Sequence, residues 1–202
     1  MANLPNILTL SRIGAIPILV VLFYIESETG RILTLVVFVL AAATDFFDGY
    51  VARARKLQSR FGRFLDPVAD KLLVGSVIFL LVAFDRVTGL MIIPALIILC
   101  REILVSGLRE FLAGFSVSVP VSRLAKWKTA VQMVAIGFLI LGDAGPEALP
   151  VTLIGEIGLT IAALLTIITG YDYFRSAVGR MGEPAHPTGE TVEGAPPVTR
   201  TG

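Results

Sequence analysis

Six apolar runs, each long enough to cross a bilayer, decide what this chain can become. They fall at about residues 7–25, 32–52, 65–84, 89–112, 125–142 and 150–174, and a helix needs roughly 20 apolar residues to span the hydrocarbon. The joining stretches are short, and ESETG, DRVTG and DAGPEA have turn and loop composition. The expected fold is therefore an all-α integral membrane protein: a single bundle of six transmembrane helices over residues 1–180. Composition agrees. Of 202 residues 55% are hydrophobic and 16% charged, with mean hydropathy +0.82, whereas soluble domains carry about a quarter charged residues. The start, MANLPNILTLSRIG, has no basic leader region and no cleavage-site pattern after its apolar run, so it reads as a retained first span. From residue 181 the text becomes MGEPAHPTGETVEGAPPVTRTG, with almost nothing to bury; residues 181–202 are expected to be a disordered tail in which His186 is simply solvated.

Lysine and arginine orient the bundle. One set of helix ends holds Arg12, then Arg53, Arg55, Lys56, Arg60 and Arg63, then Arg123, Lys126 and Lys128, then Arg175 and Arg180; the opposite loops hold Arg31 and Arg86. Both termini and the 53–63 loop are therefore expected on the cytoplasmic side. The net charge is +1 and no Lys/Arg tract resembles a nucleic-acid arm, so a nucleic-acid partner is not expected. The single cysteine, Cys100, excludes an internal disulfide framework and reads as a small core residue.

The exception to this economy of charge is TDFFDGYVARARKLQSRFGRFLDPVADK, residues 44–71, which sets four aspartates at the edge of two apolar helices. Asp45, Asp48, Gly49 and Ala52 fall at i, i+3, i+4 and i+7, one stripe of a helix, and Arg53 continues it. Gly62, Asp66 and Asp70 fall at i, i+4 and i+8 on the next helix. Antiparallel neighbours would bring the two stripes together just inside the cytoplasmic surface. An aspartate at the bilayer centre costs about 2.5–3.5 kcal/mol, so four approach roughly 10 kcal/mol. Divalent cations offset that cost well, because carboxylate oxygens suit Mg²⁺ or Mn²⁺. Two such ions stabilise attacking and leaving oxygens in a phosphoryl displacement. Gly49 and Ala52 leave room for a ligand against the backbone, and Arg53 is placed to hold a phosphate. An interfacial salt bridge explains one aspartate near a helix end. It does not explain four on two matched stripes.

These residues resemble a family motif. The CDP-alcohol phosphatidyltransferases carry D-x2-D-G-x2-A-R-x8-G-x3-D-x3-D, and Asp45, Asp48, Gly49, Ala52, Arg53, Gly62, Asp66 and Asp70 match every fixed residue and spacing. The resemblance implies six transmembrane helices, a homodimer, and a cytoplasmic active site with two divalent ions, Mg²⁺ or Mn²⁺. It implies transfer of a phosphatidyl-type group from a CDP-linked donor to an alcohol, with release of CMP. Carried over by position, Asp45, Asp48, Asp66 and Asp70 are metal ligands, and Asp70 also accepts the alcohol proton. Gly49, Ala52 and Arg53 border the nucleotide; Ser59 and Asn6, in the Pro5-Asn6-Ile7-Leu8 start, also touch the CDP-lipid.

The remaining charges must choose the acceptor. REILVSGLREF (101–111) puts Arg101 and Glu102 about two turns before Arg109 and Glu110, and RLAKWKTAVQM (123–133) adds Lys126 and Lys128. An anionic acceptor suits Arg109, Lys126 and Arg101; salt bridges to Glu102 and Glu110 are the plain alternative. These stretches, with NLPNILTLSR, are similar to the bacterial branch of the family that joins CDP-diacylglycerol to glycerol 3-phosphate. That branch would place the chain in the bacterial cytoplasmic (inner) membrane. Inositol phosphate, serine or phosphatidylglycerol as acceptor is the competing reading. Membrane prenyltransferases also hold Mg-pyrophosphate on aspartates, but with other spacings and more spans. A transporter would distribute polar groups across the bilayer, with broken helices at its midplane; here the charges crowd one side.

Overall fold

The structure, a computed structural model, describes the backbone of residues 4–55, 60–114 and 122–181, and the side chains of residues 10–44, 65, 67–114 and 122–180. Among the described residues there are six α-helices, two single-turn 3₁₀ segments (Gly89–Met91 and Gly142–Ala144) and no strand. The helices are α1 (Leu4–Phe23), α2 (Glu28–Arg55), α3 (Arg60–Ala83), α4 (Ile92–Gly114), α5 (Arg123–Leu141) and α6 (Val151–Met181). Each apolar run of the sequence is thus one helix. Several helices outrun their apolar core: α2 continues to Arg55, α3 begins at Arg60, and α6 continues to Met181. Hydropathy marks only the length suited to lipid, while Ala, Arg and Leu keep the backbone helical beyond it. Gly89–Gly114, Arg123–Ala144 and Val151–Arg180 are long and apolar enough to cross a membrane, and α1 holds a shorter apolar stretch, Leu10–Phe23.

α1 packs against α2 and α3, α3 against α4, α2 against α5, and α6 against both α4 and α5. The principal core draws on every helix, with Leu19, Phe23, Phe38, Leu73, Leu81, Ile98, Ile136, Leu139 and Ala162 all buried. A second, smaller cluster joins Val105 and Leu112 of α4 to Tyr173 and Ala177 of α6. The outward faces are also apolar: Leu40 is 62% exposed, Phe79 68% and Leu104 59%. Water would penalise such a surface, and lipid does not. The same chemistry on both sides defeats one sequence reading. Cys100, expected in the core, lies exposed on α4.

Local chemistry sets the ends that matter below. Ser122 caps α5, its hydroxyl accepting from the Ala125 N–H at 3.2 Å. Gly142 closes α5 at φ 51°, its N–H donating to the Phe138 carbonyl, a conformation that favours glycine. Between α5 and α6, a Cβ on Gly158 would come within 2.9 Å of the Ala135 Cβ, and one on Gly155 within 2.8 Å of Leu139 Cγ. Small residues give this pair its close approach, as is usual where lipid supplies no hydrophobic drive between helices.

Candidate active site

Asp45 and Asp48 lie in α2, and Asp66 and Asp70 in α3, with Pro67 interrupting the α3 hydrogen-bond ladder beside Asp66. Gly49, Ala52 and Arg53 follow in α2, and Asn6 lies in the first turns of α1. The side chains of Asn6, Asp45, Asp48, Gly49, Ala52, Arg53 and Asp66 are outside the described residues, as are Ser59 and the 182–202 tail. For these residues the structure gives helix placement alone. The fit to a metal therefore rests on donor chemistry. Carboxylates three apart on α2 and four apart on α3 form an all-oxygen set of the kind hard divalent cations take.

Asp70 is the described member of the set, and its surroundings are polar. Its Oδ2 lies 2.9 Å from Lys71 Nζ. Lys71 reaches on to α4, where Nζ lies 2.5 Å from Glu102 Oε2. The other oxygen of Glu102, Oε1, accepts from Lys128 of α5 and lies 3.4 Å from Arg101 Nη1. Arg101 Nη2 donates to Thr169 Oγ1 of α6 at 3.4 Å. Glu102 and Lys128 have side chains only 7% and 2% exposed. A continuous ionic chain thus runs from α3 through α4 to α5, and a hydrogen bond from Arg101 extends it to α6.

A cavity of about 200 Å³ opens beside this chain, lined by Asp70, Lys71, Arg101, Glu102, Ser106, Arg109 and Glu110. Arg101 Nε is buried without a hydrogen-bond partner among the described residues, leaving one donor uncommitted. The Arg109 guanidinium lies 5.6 Å from the centroid of the Tyr173 ring. The cavity can take a small anionic polyol whose phosphate meets the arginines while a hydroxyl meets Asp70. It shares Pro67, Lys71, Ser106 and Glu110 with an apolar groove of about 800 Å³, whose other walls include Ile16, Val20, Leu72, Phe79 and Ile103.

Of the acceptor residues read from sequence, Arg101 and Arg109 come together with Asp70. Lys126 does not. It is exposed on α5, while Lys128 two residues later is buried. The salt bridge between Arg101 and Glu102, the plain alternative reading, is present at 3.4 Å. Sequence reasoning passed over Lys71 and gave Lys128 no role. A signal existed for Lys128: with Gln132, Ala135 and Leu139 it lies on the buried stripe of α5 at helical spacing, a stripe Lys126 does not join.

Residues 2–168 match the family model described as CDP-alcohol phosphatidyltransferase. The chain is 57% identical over 174 residues to a CDP-diacylglycerol–glycerol-3-phosphate 3-phosphatidyltransferase of Rickettsia bellii, covering 86% of this chain and 94% of the relative. It is 39% identical to the protein of that name from Cereibacter sphaeroides, covering 87% of this chain and 96% of the relative. With the Bacillus subtilis protein identity is 37%, covering 86% and 94%.

Proposed function

This chain belongs to the CDP-alcohol phosphatidyltransferase family, and on that premise we propose that it transfers the phosphatidyl group of CDP-diacylglycerol to glycerol 3-phosphate, giving phosphatidylglycerol phosphate and CMP. The observation that carries the choice of acceptor is the cavity in which Asp70 shares one small space with Arg101 and Arg109. Relatives named for that acceptor support it.

Asp45, Asp48, Asp66 and Asp70 would hold two divalent cations, Mg²⁺ or Mn²⁺, whose charge would neutralise the donor pyrophosphate. Gly49 and Ala52 leave the α2 stripe open for the nucleotide, Arg53 pairs with its phosphate, and Ser59 and Asn6 border it. Arg101 and Arg109 hold the acceptor phosphate by charge-assisted hydrogen bonds. Asp70 takes the proton of the acceptor hydroxyl as that oxygen attacks the lipid-side phosphorus. The bond from that phosphorus to the bridging oxygen breaks, and CMP departs. The apolar groove beside the cavity suits a donor whose tails stay in the bilayer.

In this reading the six helices of residues 1–180 all span the cytoplasmic membrane of a bacterium, with both termini and the site on the cytoplasmic side. Two copies pair as a homodimer. The test is purified protein with CDP-diacylglycerol, divalent metal and labelled acceptors. Glycerol 3-phosphate should drive CMP release; faster release with inositol phosphate, serine or phosphatidylglycerol would reassign the acceptor.

A further inference from the structure

We propose that Glu102 is a positioning residue for the reaction: it anchors Lys71 against Asp70 and so fixes the carboxylate that receives the acceptor proton. This rests on the role given to Asp70 above.

Consecutive residues on a helix do not face each other, so a contact between Asp70 and Lys71 is not a local habit of α3. It exists because Lys71 is also held from across the helix interface, 2.5 Å from Glu102 Oε2. Glu102 cannot rotate away, since its second oxygen accepts from Lys128 of α5. The ammonium of Lys71 is shared between two carboxylates, with Asp70 Oδ2 at 2.9 Å. Sharing lets it steady Asp70 without forming the tight exclusive pair that would compete for the carboxylate.

The cluster is costly as a purely structural device. Around Glu102 and Asp70 stand Lys71, Lys128 and Arg101, three cations against two carboxylates, a local excess of one positive charge. Buried ion networks of this kind are often less stabilising than apolar side chains of the same volume. Their retention beside a catalytic carboxylate is explained when they set its geometry, because an error of about 1 Å in a reacting group can cost on the order of 100-fold in rate.

The experiment is a double-mutant cycle with steady-state kinetics and thermal unfolding in detergent. Glu102→Gln should lower kcat about 10- to 100-fold while the KM values for CDP-diacylglycerol and glycerol 3-phosphate stay within about threefold. In a Lys71→Met background the same change should cost less than about twofold more, because Glu102 acts through Lys71. Lys128→Arg should keep most activity, and Lys128→Met should follow Glu102→Gln. Losses that multiply in the double variant, or a raised acceptor KM at unchanged kcat, would overturn the inference. If Glu102→Gln does not fold, Glu102→Gln/Lys128→Met, which removes the carboxylate with a cation it neutralises, takes its place in the cycle. Failure of that variant to fold as well would show Glu102 to be structural and overturn the positioning role. Asp70→Asn serves as control. If it keeps its turnover, the role of Asp70 itself falls; if it loses turnover while Glu102→Gln keeps it, only the positioning of Asp70 by Glu102 falls.

Discussion

Where Arg55 of α2 leads toward Arg60 of α3, the neighbouring helices are tied by ions: Lys71 and Lys128 converge on Glu102, and Arg101 reaches Thr169. At the opposite end the ties are rings and shape. Tyr24 meets Phe84 edge-on at 5.0 Å, Phe23 lies 5.6 Å from Phe84, and the Arg86 guanidinium sits 4.5 Å above Phe23 while donating to the Ile140 carbonyl at 2.8 Å. Burial, then repulsion from Arg31, lowers the Arg86 pKa from its ordinary value, yet a guanidinium keeps its charge at physiological pH. Aromatic and cation–π contacts give a modest gain at little desolvation cost. Buried ion pairs carry a desolvation penalty of several kcal/mol per ion. The expensive end is the one proposed to carry the chemistry, and changes there should be read in turnover as well as in stability. Changes at the other end should be read in stability.

The contrast is tested hardest at the aspartates. Asp45→Asn or Asp66→Asn should abolish turnover, because an amide brings no charge to the site; more than about a tenth of native activity at saturating Mg²⁺ would refute the metal-ligand role. Asp70→Asn should lower turnover by about 10²–10⁴, the usual worth of a general base, while donor binding persists. Full rescue by about tenfold more Mg²⁺ would make Asp70 a ligand only. One step down, Arg101→Ala should raise the KM for glycerol 3-phosphate about 10- to 150-fold, corresponding to about 1.5–3 kcal/mol for a charged contact to phosphate. Lys126→Ala is the discriminating partner: exposed on α5, it should change that KM less than about threefold.

Helix number and order were legible because each helix carries one long apolar run. The placement of Asp45 and Asp48 on one helix and of Asp66 and Asp70 on the next was legible because each pair sits in its own apolar run. What hydropathy could not rank was which face of an apolar helix meets other helices. Cys100, read as a core residue, lies outward; of the two lysines at the start of α5, Lys126 is exposed and Lys128 is buried. In water the apolar face is the inner face. In lipid both faces are apolar, and only an embedded polar residue such as Glu102 or Gln132 marks the interior. The i, i+1 bond from Lys71 to Asp70 was invisible for another reason: it depends on Glu102, far away in sequence.

At the shape-held end, Gly158→Leu should break the close approach of α5 and α6, since even a Cβ there would stand 2.9 Å from the Ala135 Cβ. Overpacking of this kind costs about 1–3 kcal/mol. Thermal unfolding in detergent should register it, while turnover per folded molecule stays near native. A selective loss of kcat at unchanged stability would show that the two ends are coupled.

The smallest effect is expected from the ion pair at that same end, which makes it the sharpest control. Arg31 Nη1 lies 3.4 Å from Asp143 Oδ2, but the Asp143 side chain is 89% exposed. Water and salt screen such a pair, whose usual worth is about 0–1 kcal/mol. Arg31→Ala should therefore shift the unfolding temperature only slightly, and raising the salt concentration should erase even that shift. Lys128→Met removes a buried cation from a carboxylate 7% exposed that Lys71 and Arg101 still face, a loss of about 1.5–3 kcal/mol for a buried hydrogen bond to a charged group. Both variants delete one cation from one carboxylate, the one buried and the other exposed. If Arg31→Ala destabilised the protein as much as Lys128→Met, burial would not be what separates the two ends, and the ionic chain beside Asp70 would lose its claim to special cost.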